Sequence, residues 1–204
     1  MWLIWIAFLI GSFLLGSVPS AYLIVKWRTG KDIRELGSGN VGATNAVRAV
    51  GKLGYLSFVF DVLKGFLPVY LASRYFGYPL AAACGLCALL GHFFPPWLHF
   101  RGGKGVSTAA GLYLALAPLT CLLGLAAWFI LVLAFGYVSL ASCIVLCLGP
   151  IIVLAAGDLP FACFWIFCMT AALVTLRHSS NFRRLAAGTE RRSKFWLPDL
   201  LKKL

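Results

Sequence analysis

Long apolar runs, each ended by glycine, proline or charged residues, dominate the pattern of the chain. The first run extends from Met1 to Val25 without a charge, which is long enough to cross a bilayer at about 1.5 Å per residue. It has neither the basic leading segment nor the small-residue cleavage site of a signal peptide, so we interpret it as a mature span. The whole pattern predicts about seven membrane-spanning helices, near residues 2–26, 54–75, 79–98, 106–117, 121–135, 138–156 and 160–177.

The four later segments follow one another in a stretch where Asp158 is the only charge between residues 105 and 176. Glycine and proline divide this stretch at 117–118, 135–136 and 157–160. Two of the segments are short for a full crossing, which leaves tilting, partial re-entry or a total of five spans open. The predicted fold class is all-α, a polytopic membrane protein with a single domain over residues 1–204.

Composition and charge are consistent with lipid as the solvent. Of the 204 residues, 61% are hydrophobic and 12% are charged, which is too little charge to cover a soluble domain of this size. The net charge of +12 is compatible with nucleic-acid binding, but all of the 18 basic residues except Lys64 and Arg74 lie at or between predicted span ends. Cytoplasmic retention of basic loops explains this distribution without nucleic acid. It predicts an N-terminus outside and a C-terminus in the cytoplasm.

The seven cysteines all lie in apolar runs and lack the spacing of a zinc or redox site. Their number is odd, and packing in the apolar interior is the favoured role. We predict no metal site and no cofactor.

A first polar cluster covers residues 36–48. Its glycines permit positive φ angles and a close approach of the backbone to a ligand, and successive amide groups of such a loop form an anion-binding concavity. Arg48 can hold two phosphate oxygens at once. An ordinary glycine-rich turn between spans is the alternative. The predicted phosphate-binding residues are Gly37, Ser38, Gly39, Asn40, Thr44, Asn45 and Arg48.

A second polar cluster, residues 100–108, has the form of a phosphate loop that opens a helix. Lys104 supplies a point charge near the helix N-terminus, and the backbone of Gly102, Gly103 and Gly105 is predicted to approach the anion. The spacing is not that of a Walker A loop, so nucleotide binding is not indicated. For the neighbouring His92, a structural or interfacial role is favoured over a catalytic one.

A third polar cluster, residues 177–190, begins where the last predicted span leaves the membrane. His178 is a candidate base, phosphate donor or helix cap, and Asn181 stands beside it. Glu190, the one acid of this cluster, is predicted to pair with a neighbouring arginine and to support the structure rather than to act in catalysis.

The three clusters fall on the same predicted side of the membrane. A one-sided, cationic and glycine-rich pocket within an apolar body suits a ligand with a phosphate head and an acyl chain. Within predicted span two, Asp61 and Lys64 stand at positions i and i+3, which favours a local ion pair. Contact of these two charges with the pocket is the alternative.

Six motifs in order resemble one family over nearly the whole chain, the bacterial acyl-phosphate:glycerol-3-phosphate acyltransferases. They are GSVP at 16–19, GSGNVGATNAVR at 37–48, DVLKG at 61–65, GHFFP at 91–95, FRGGKGV at 100–106, and RHSSNFRRL with GTE at 177–190.

The resemblance implies transfer of an acyl group from acyl phosphate to the 1-position of sn-glycerol 3-phosphate. The products are lysophosphatidic acid and inorganic phosphate, in the first step of phospholipid synthesis. It also implies seven spans, no use of acyl-CoA, and a bacterial inner-membrane enzyme whose active site faces the cytoplasm. The enzyme that produces acyl phosphate is a candidate partner.

The same resemblance implies roles for particular residues. Gly102, Gly103 and Lys104 match a glycerol 3-phosphate loop, and Glu190 matches a residue that supports the structure. Arg101 and Ser179 stand where a lysine and another basic residue are expected, and neither departure touches the chemistry. The implied catalytic residues are Ser38, Arg48, Lys104, His178 and Asn181.

Motifs of other enzyme classes are missing from the sequence. It has no histidine followed five residues later by aspartate, no G-x-S-x-G elbow and no carboxylate cluster for Mg²⁺. The chemistry must therefore need little activation, which fits an acyl phosphate donor. The proton goes to His178 or to a substrate phosphate, and the sequence slightly favours the substrate. A transporter or flippase for an anionic solute is the alternative function, whereas a phosphatidyltransferase would need several metal-binding aspartates.

Overall fold

The computed structural model describes residues 2–193 and 195–198. Within these residues the secondary structure is helical and contains no strand, which confirms the predicted all-α class. Short 3₁₀ helices occur at Ile33–Glu35, Gly51–Gly54 and Pro96–Leu98. The α-helices of the described residues are α1 (Trp2–Gly16), α2 (Ser20–Thr29), α3 (Ala43–Val50), α4 (Tyr55–Phe76), α5 (Tyr78–Phe93), α6 (Val106–Leu116), α7 (Pro118–Phe135), α8 (Val138–Ala156), α9 (Phe161–Arg177) and α10 (Ser179–Ala186).

The chain divides into two compact units. The first, Met1–Leu116, contains α1 to α6, and the second, Ala117–Leu204, contains α7 to α10. A single domain over residues 1–204 stays a prediction.

Each of the predicted spans coincides with helix. Within residues 2–193 and 195–198, five segments are long and apolar enough to cross a membrane, and α9 with α10, bent by 53°, makes a sixth if the pair is one span. Helix α6 has 11 residues, about half of what a full crossing needs. The total of seven spans and their orientation stay predictions. The five segments are Trp2–Thr29, Ala43–Phe76, Tyr78–Leu98, Pro118–Phe135 and Val138–Ala156.

The first of these segments is broken between α1 and α2. Helix α1 ends at Gly16 and α2 begins at Ser20. The helix that we predicted over 2–26 is therefore not continuous. Pro19 has no amide hydrogen and disfavours helical geometry at Val18, which favours a break at this point.

Helices α4 and α6 approach closely at two glycines. A methyl group on Gly65 would overlap the carbonyl oxygen of Thr108, and one on Gly111 would overlap the carbonyl oxygen of Val62. Small residues permit such close approach in membrane proteins, where association depends on packing rather than on the exclusion of water. Backbone contact at these glycines therefore fixes α6 against α4 and sets the position of the second cluster, which leads into α6.

Helices α1 and α5 pack in the same way. Gly16 lies against the backbone of Ala88, and Gly91 lies against the carbonyl of Phe13. The C-terminal end of α5 is thereby fixed beside the break that follows α1.

We expect Gly65→Ala to lower the free energy of unfolding by about 1–3 kcal/mol, because the added methyl group meets backbone that cannot rotate away. Thermal unfolding in detergent measures the change. Gly11→Ala in α1 is the matched control, since no atom lies within 4 Å of the position of its added carbon. Equal melting temperatures for the two variants would show that α4 and α6 do not depend on this contact.

Candidate active site

The first cluster forms a tight turn followed by a short helix. Gly37 and Gly39 have φ angles of 59° and 71°, in the left-handed region that the sequence predicted, and the Gly39 amide donates to the Leu36 carbonyl at 2.9 Å. Gly42 instead has an extended φ of −151° and precedes α3. The turn therefore uses two of the three glycines for their left-handed conformation.

Asn45 holds this turn together. Its side-chain amide donates to the carbonyls of Ile33 at 3.2 Å and Leu36 at 2.9 Å, and its Oδ1 accepts from the Ser38 amide at 3.0 Å. The residue is 1% exposed. These contacts give Asn45 a role in positioning the loop that the sequence did not indicate, and its predicted contact with a phosphate stays a prediction.

Other polar residues of the first cluster face outward. Ser38, Thr44 and Arg48 are exposed, and Asn40 is partly buried. Thr44 and Arg48 are four residues apart on α3 and thus share one helix face. The hydroxyl groups of Ser38 and Thr44 and the guanidinium of Arg48 are therefore the groups that this cluster presents for binding.

A neighbouring cation is already paired. The Arg34 guanidinium donates to both carboxylate oxygens of Asp32, at 2.6–3.0 Å. These hydrogen bonds lower the pKa of Asp32 below its ordinary value, so the carboxylate stays charged at neutral pH. Arg34 thus stabilises the segment before the turn.

The glycine pair of the second cluster packs against the end of α5. The Gly102 amide donates to the Phe93 carbonyl at 3.1 Å, and the Gly103 amide donates to the His92 carbonyl at 3.2 Å. The last carbonyls of a helix have no partner within it, so these bonds cap α5. A methyl group on either glycine would overlap the His92 residue. The pair therefore has a packing role that we did not predict, and its binding of phosphate stays a prediction.

The first two clusters meet at Gly103. The carbonyl oxygen of Val41 lies so close to Gly103 that a side chain there would overlap it. Lys104 follows, partly buried, and Gly105 turns the chain with a φ of 78° into α6. The structure thus brings the loop that precedes Arg48 into contact with the loop that carries Lys104, near the N-terminal end of a helix dipole.

The two charges predicted within the second span form the expected ion pair. Lys64 Nζ lies 2.8 Å from Asp61 Oδ1, and both side chains are buried. Ser20, which the sequence did not single out, donates its hydroxyl to the same oxygen at 2.6 Å. A serine directly after the proline break was the one signal that could have identified it.

In the second unit, His178 lies at the junction of α9 and α10 and is 3% exposed. Its Nδ1 is 2.8 Å from the carbonyl oxygen of Val174. A carbonyl only accepts, so Nδ1 carries the hydrogen of this bond, and in a neutral ring Nε2 is then the basic nitrogen. The geometry is compatible with the predicted base, and that role stays a prediction.

Glu190 is the centre of the third cluster. It accepts hydrogen bonds from Asn181 Nδ2 at 2.5 Å, Ser139 Oγ at 2.8 Å and Arg184 Nε at 2.7 Å. The predicted pairing with a neighbouring arginine is confirmed, and the carboxylate also joins α8 to α10. Burial alone would raise the pKa of Glu190, but the three hydrogen bonds outweigh it and lower the pKa below its ordinary value of 4.5.

We expect Glu190→Gln to lower the melting temperature at pH 7 by about 2–4 °C, equivalent to about 1 kcal/mol, because the charged acceptor is lost. A carboxylate with a lowered folded pKa stabilises the protein fully above pH 4.5 and loses this effect as the pH falls through the folded pKa. The gap between wild type and variant should therefore close below pH 4.5 in thermal unfolding scans. Glu35→Gln, at an exposed carboxylate, is the control, and a gap that persists at low pH would contradict the assignment.

A sequence profile of the glycerol-3-phosphate acyltransferase family matches residues 6–188 of the chain. The chain is 46% identical over 196 residues to a glycerol-3-phosphate acyltransferase of Trichlorobacter lovleyi, with 95% of this chain and 97% of that protein covered. It is 39% identical over 191 residues to the protein of the same name from Thermotoga petrophila, with 92% and 96% covered.

Solved structures agree with the sequence relatives. The glycerol 3-phosphate form of PlsY, an integral membrane glycerol 3-phosphate acyltransferase, matches with a TM-score of 0.89 at 38% identity, over 93% of this chain and 95% of that one. Its lysophosphatidic acid form matches with a TM-score of 0.86 at 36% identity, over 94% and 96% of the two chains. The resemblance seen in the motifs is confirmed, and the chain belongs to the glycerol-3-phosphate acyltransferase family, the family of PlsY.

Proposed function

We propose that the protein transfers an acyl group from acyl phosphate to the 1-hydroxyl of sn-glycerol 3-phosphate and releases lysophosphatidic acid and inorganic phosphate. The observation that carries this proposal is the contact at Gly103, which joins the loop before Arg48 to the loop of Lys104. Two cationic loops held together suit a reaction in which both substrates carry a phosphate. The forms in which PlsY was crystallised match the proposed acceptor and product.

The reaction needs little activation from the protein. The 1-hydroxyl oxygen attacks the carbonyl carbon of the acyl phosphate, the bond from this carbon to the phosphate oxygen breaks, and inorganic phosphate leaves. Arg48, Lys104 and the Ser38 hydroxyl hold the phosphate groups and stabilise the charge that develops. The hydroxyl proton passes to a phosphate oxygen of the substrate, with His178 as the alternative acceptor.

The proposed location is the bacterial inner membrane, with the first two clusters at the cytoplasmic surface. The basic residues of the segments 27–53 and 99–105 support this orientation, because such residues are retained in the cytoplasm. Acyl phosphate is then delivered from the cytoplasmic side, which is where the enzyme that produces it would meet the protein.

The donor is tested with purified protein. We expect acyl phosphate and glycerol 3-phosphate to yield lysophosphatidic acid and inorganic phosphate in equal amounts, and acyl-CoA to yield no product. Mass spectrometry of the lipid and a phosphate assay measure the two products. Lysophosphatidic acid formed from glycerol 3-phosphate with acyl-CoA, but not with acyl phosphate, would refute the proposed donor. Solute transport without product would identify a transporter.

A second test compares the roles of Arg48 and His178. We expect Arg48→Ala to lower kcat/KM by about 100-fold, because charge-assisted phosphate contacts are worth about 1.5–3 kcal/mol each. His178→Ala should lower it less, since the substrate phosphate accepts the proton. Arg74→Ala, at an exposed basic residue outside the three clusters, is the control and should match wild type. The reverse ranking would favour His178 as the proton acceptor.

A further inference from the structure

Four polar side chains, Ser20, Asp61, Lys64 and His92, meet in the interior of the first unit, and we refer to them as the buried tetrad. They come from α2, α4 and α5, and each is 2–7% exposed. Asp61 Oδ1 accepts from Ser20 at 2.6 Å and from Lys64 at 2.8 Å, and it lies 3.7 Å from His92 Nδ1. Buried charges are costly and a poor source of stability, so such a group calls for a further explanation.

Part of the explanation lies at the break between α1 and α2. Lys64 Nζ also donates to the carbonyl of Val18 at 2.9 Å, and Val18 stands within the break. Backbone groups without a helical partner must be satisfied inside a membrane protein, which accounts for the lysine and for its aspartate counter-ion. It does not account for His92, whose contacts lead to the second cluster.

His92 holds Gly103 in two ways. Its carbonyl accepts the Gly103 amide at 3.2 Å, and its ring lies so close that a methyl group on Gly103 would overlap Nε2. On the other side Gly103 meets the carbonyl of Val41, so it is wedged between α5 and the first cluster. Lys104 is the next residue. The position of its backbone therefore depends on how His92 is oriented against Gly103.

The buried tetrad and the glycine pair also face a common space. A cavity of about 10 Å³ is lined by all four tetrad residues and by Gly102 and Gly103. The ion pair and the glycine pair therefore border one space. A shift of the His92 ring would act directly on Gly103, because the ring packs against this glycine.

We propose that the buried tetrad positions the loop that carries Lys104. Asp61 orients the His92 ring, Ser20 fixes the Asp61 carboxylate, and His92 holds Gly103 in place. The group served is the phosphate of glycerol 3-phosphate, so the inference rests on the proposed function. The members of the tetrad are positioning residues, and their loss weakens the binding of glycerol 3-phosphate more than turnover or the KM for acyl phosphate.

The first experiment compares two substitutions of His92. His92→Asn keeps a polar group near the position of Nδ1 but does not reach Gly103, whereas His92→Gln places its amide near the position of Nε2. We expect His92→Asn to raise the Kd and the KM for glycerol 3-phosphate about tenfold, and His92→Gln to recover most of the loss. His99→Asn is the control, since His99 is exposed and has a left-handed φ of 54°, which asparagine tolerates.

The second experiment uses a smaller change that preserves the ion pair. Ser20→Ala removes only a hydroxyl, which donates to Asp61 at 2.6 Å and has the Ser57 carbonyl as a more distant acceptor at 3.4 Å. We expect a rise of about threefold in the Kd for glycerol 3-phosphate. Ser12→Ala is the matched control, because Ser12 is equally buried but its hydroxyl donates to Phe8 within α1. It should bind as wild type does.

Titration calorimetry with glycerol 3-phosphate, acyl-transfer kinetics and melting temperatures are measured for every variant. Melting temperatures that fall while the Kd and KM stay at wild-type values would overturn the proposal and leave the buried tetrad a structural feature. A His92→Gln variant no better than His92→Asn would overturn the role of Nε2. Wild-type protein that binds glycerol 3-phosphate without acylating it would refute the proposed function, while the Kd ranking still decides the role of the buried tetrad.

Discussion

The amide groups of Gly102 and Gly103 donate to the last carbonyls of α5, and the position of the second cluster depends on these two hydrogen bonds. They satisfy carbonyls that the end of a helix leaves without partners, and they need a backbone approach that any Cβ would prevent. The same loop meets Val41 of the first cluster, so the cap of α5 also determines how the first two clusters fit together. The contacts that cap α5 therefore also position the loops of the candidate site.

Charges inside the first unit follow from the break between α1 and α2. A proline break in an apolar segment leaves backbone groups that no lipid can satisfy, and the Val18 carbonyl accepts from Lys64 as well as from the Ser20 amide. The charge of Lys64 then requires Asp61, and the second hydrogen bond of Asp61 comes from Ser20. One irregularity in the backbone thus accounts for most of a polar network that no single motif indicates.

The apolar runs predicted the helices well, because the length and hydropathy of a segment decide whether lipid can surround it. The ion pair of Asp61 with Lys64 and the pairing of Glu190 with an arginine were also predicted, since both partners stand close in the sequence.

Roles that depend on distant residues could not be predicted in this way. The sequence pattern predicted that Asn45 donates to a ligand. Only the fold shows that its side-chain amide forms hydrogen bonds with Ile33, Leu36 and Ser38. The roles of Ser20 and His92 likewise depend on contacts with residues of other helices and loops, which the sequence does not show.

Glycine-rich loops near phosphates are usually explained by amides that point at the anion. In this chain the amides of Ser38, Gly39, Gly102 and Gly103 all have acceptors within the protein. These glycines therefore let the backbone turn and pack, and the side chains of Ser38, Thr44, Arg48 and Lys104 are the groups that we propose to bind phosphate. Side chains on a backbone held from behind bind with less loss of conformational entropy than side chains on a mobile loop. If the donor is the proposed acyl phosphate, a reactive mixed anhydride, rigid support of a few cations is sufficient, because the protein has only to bring the two phosphates and the hydroxyl together.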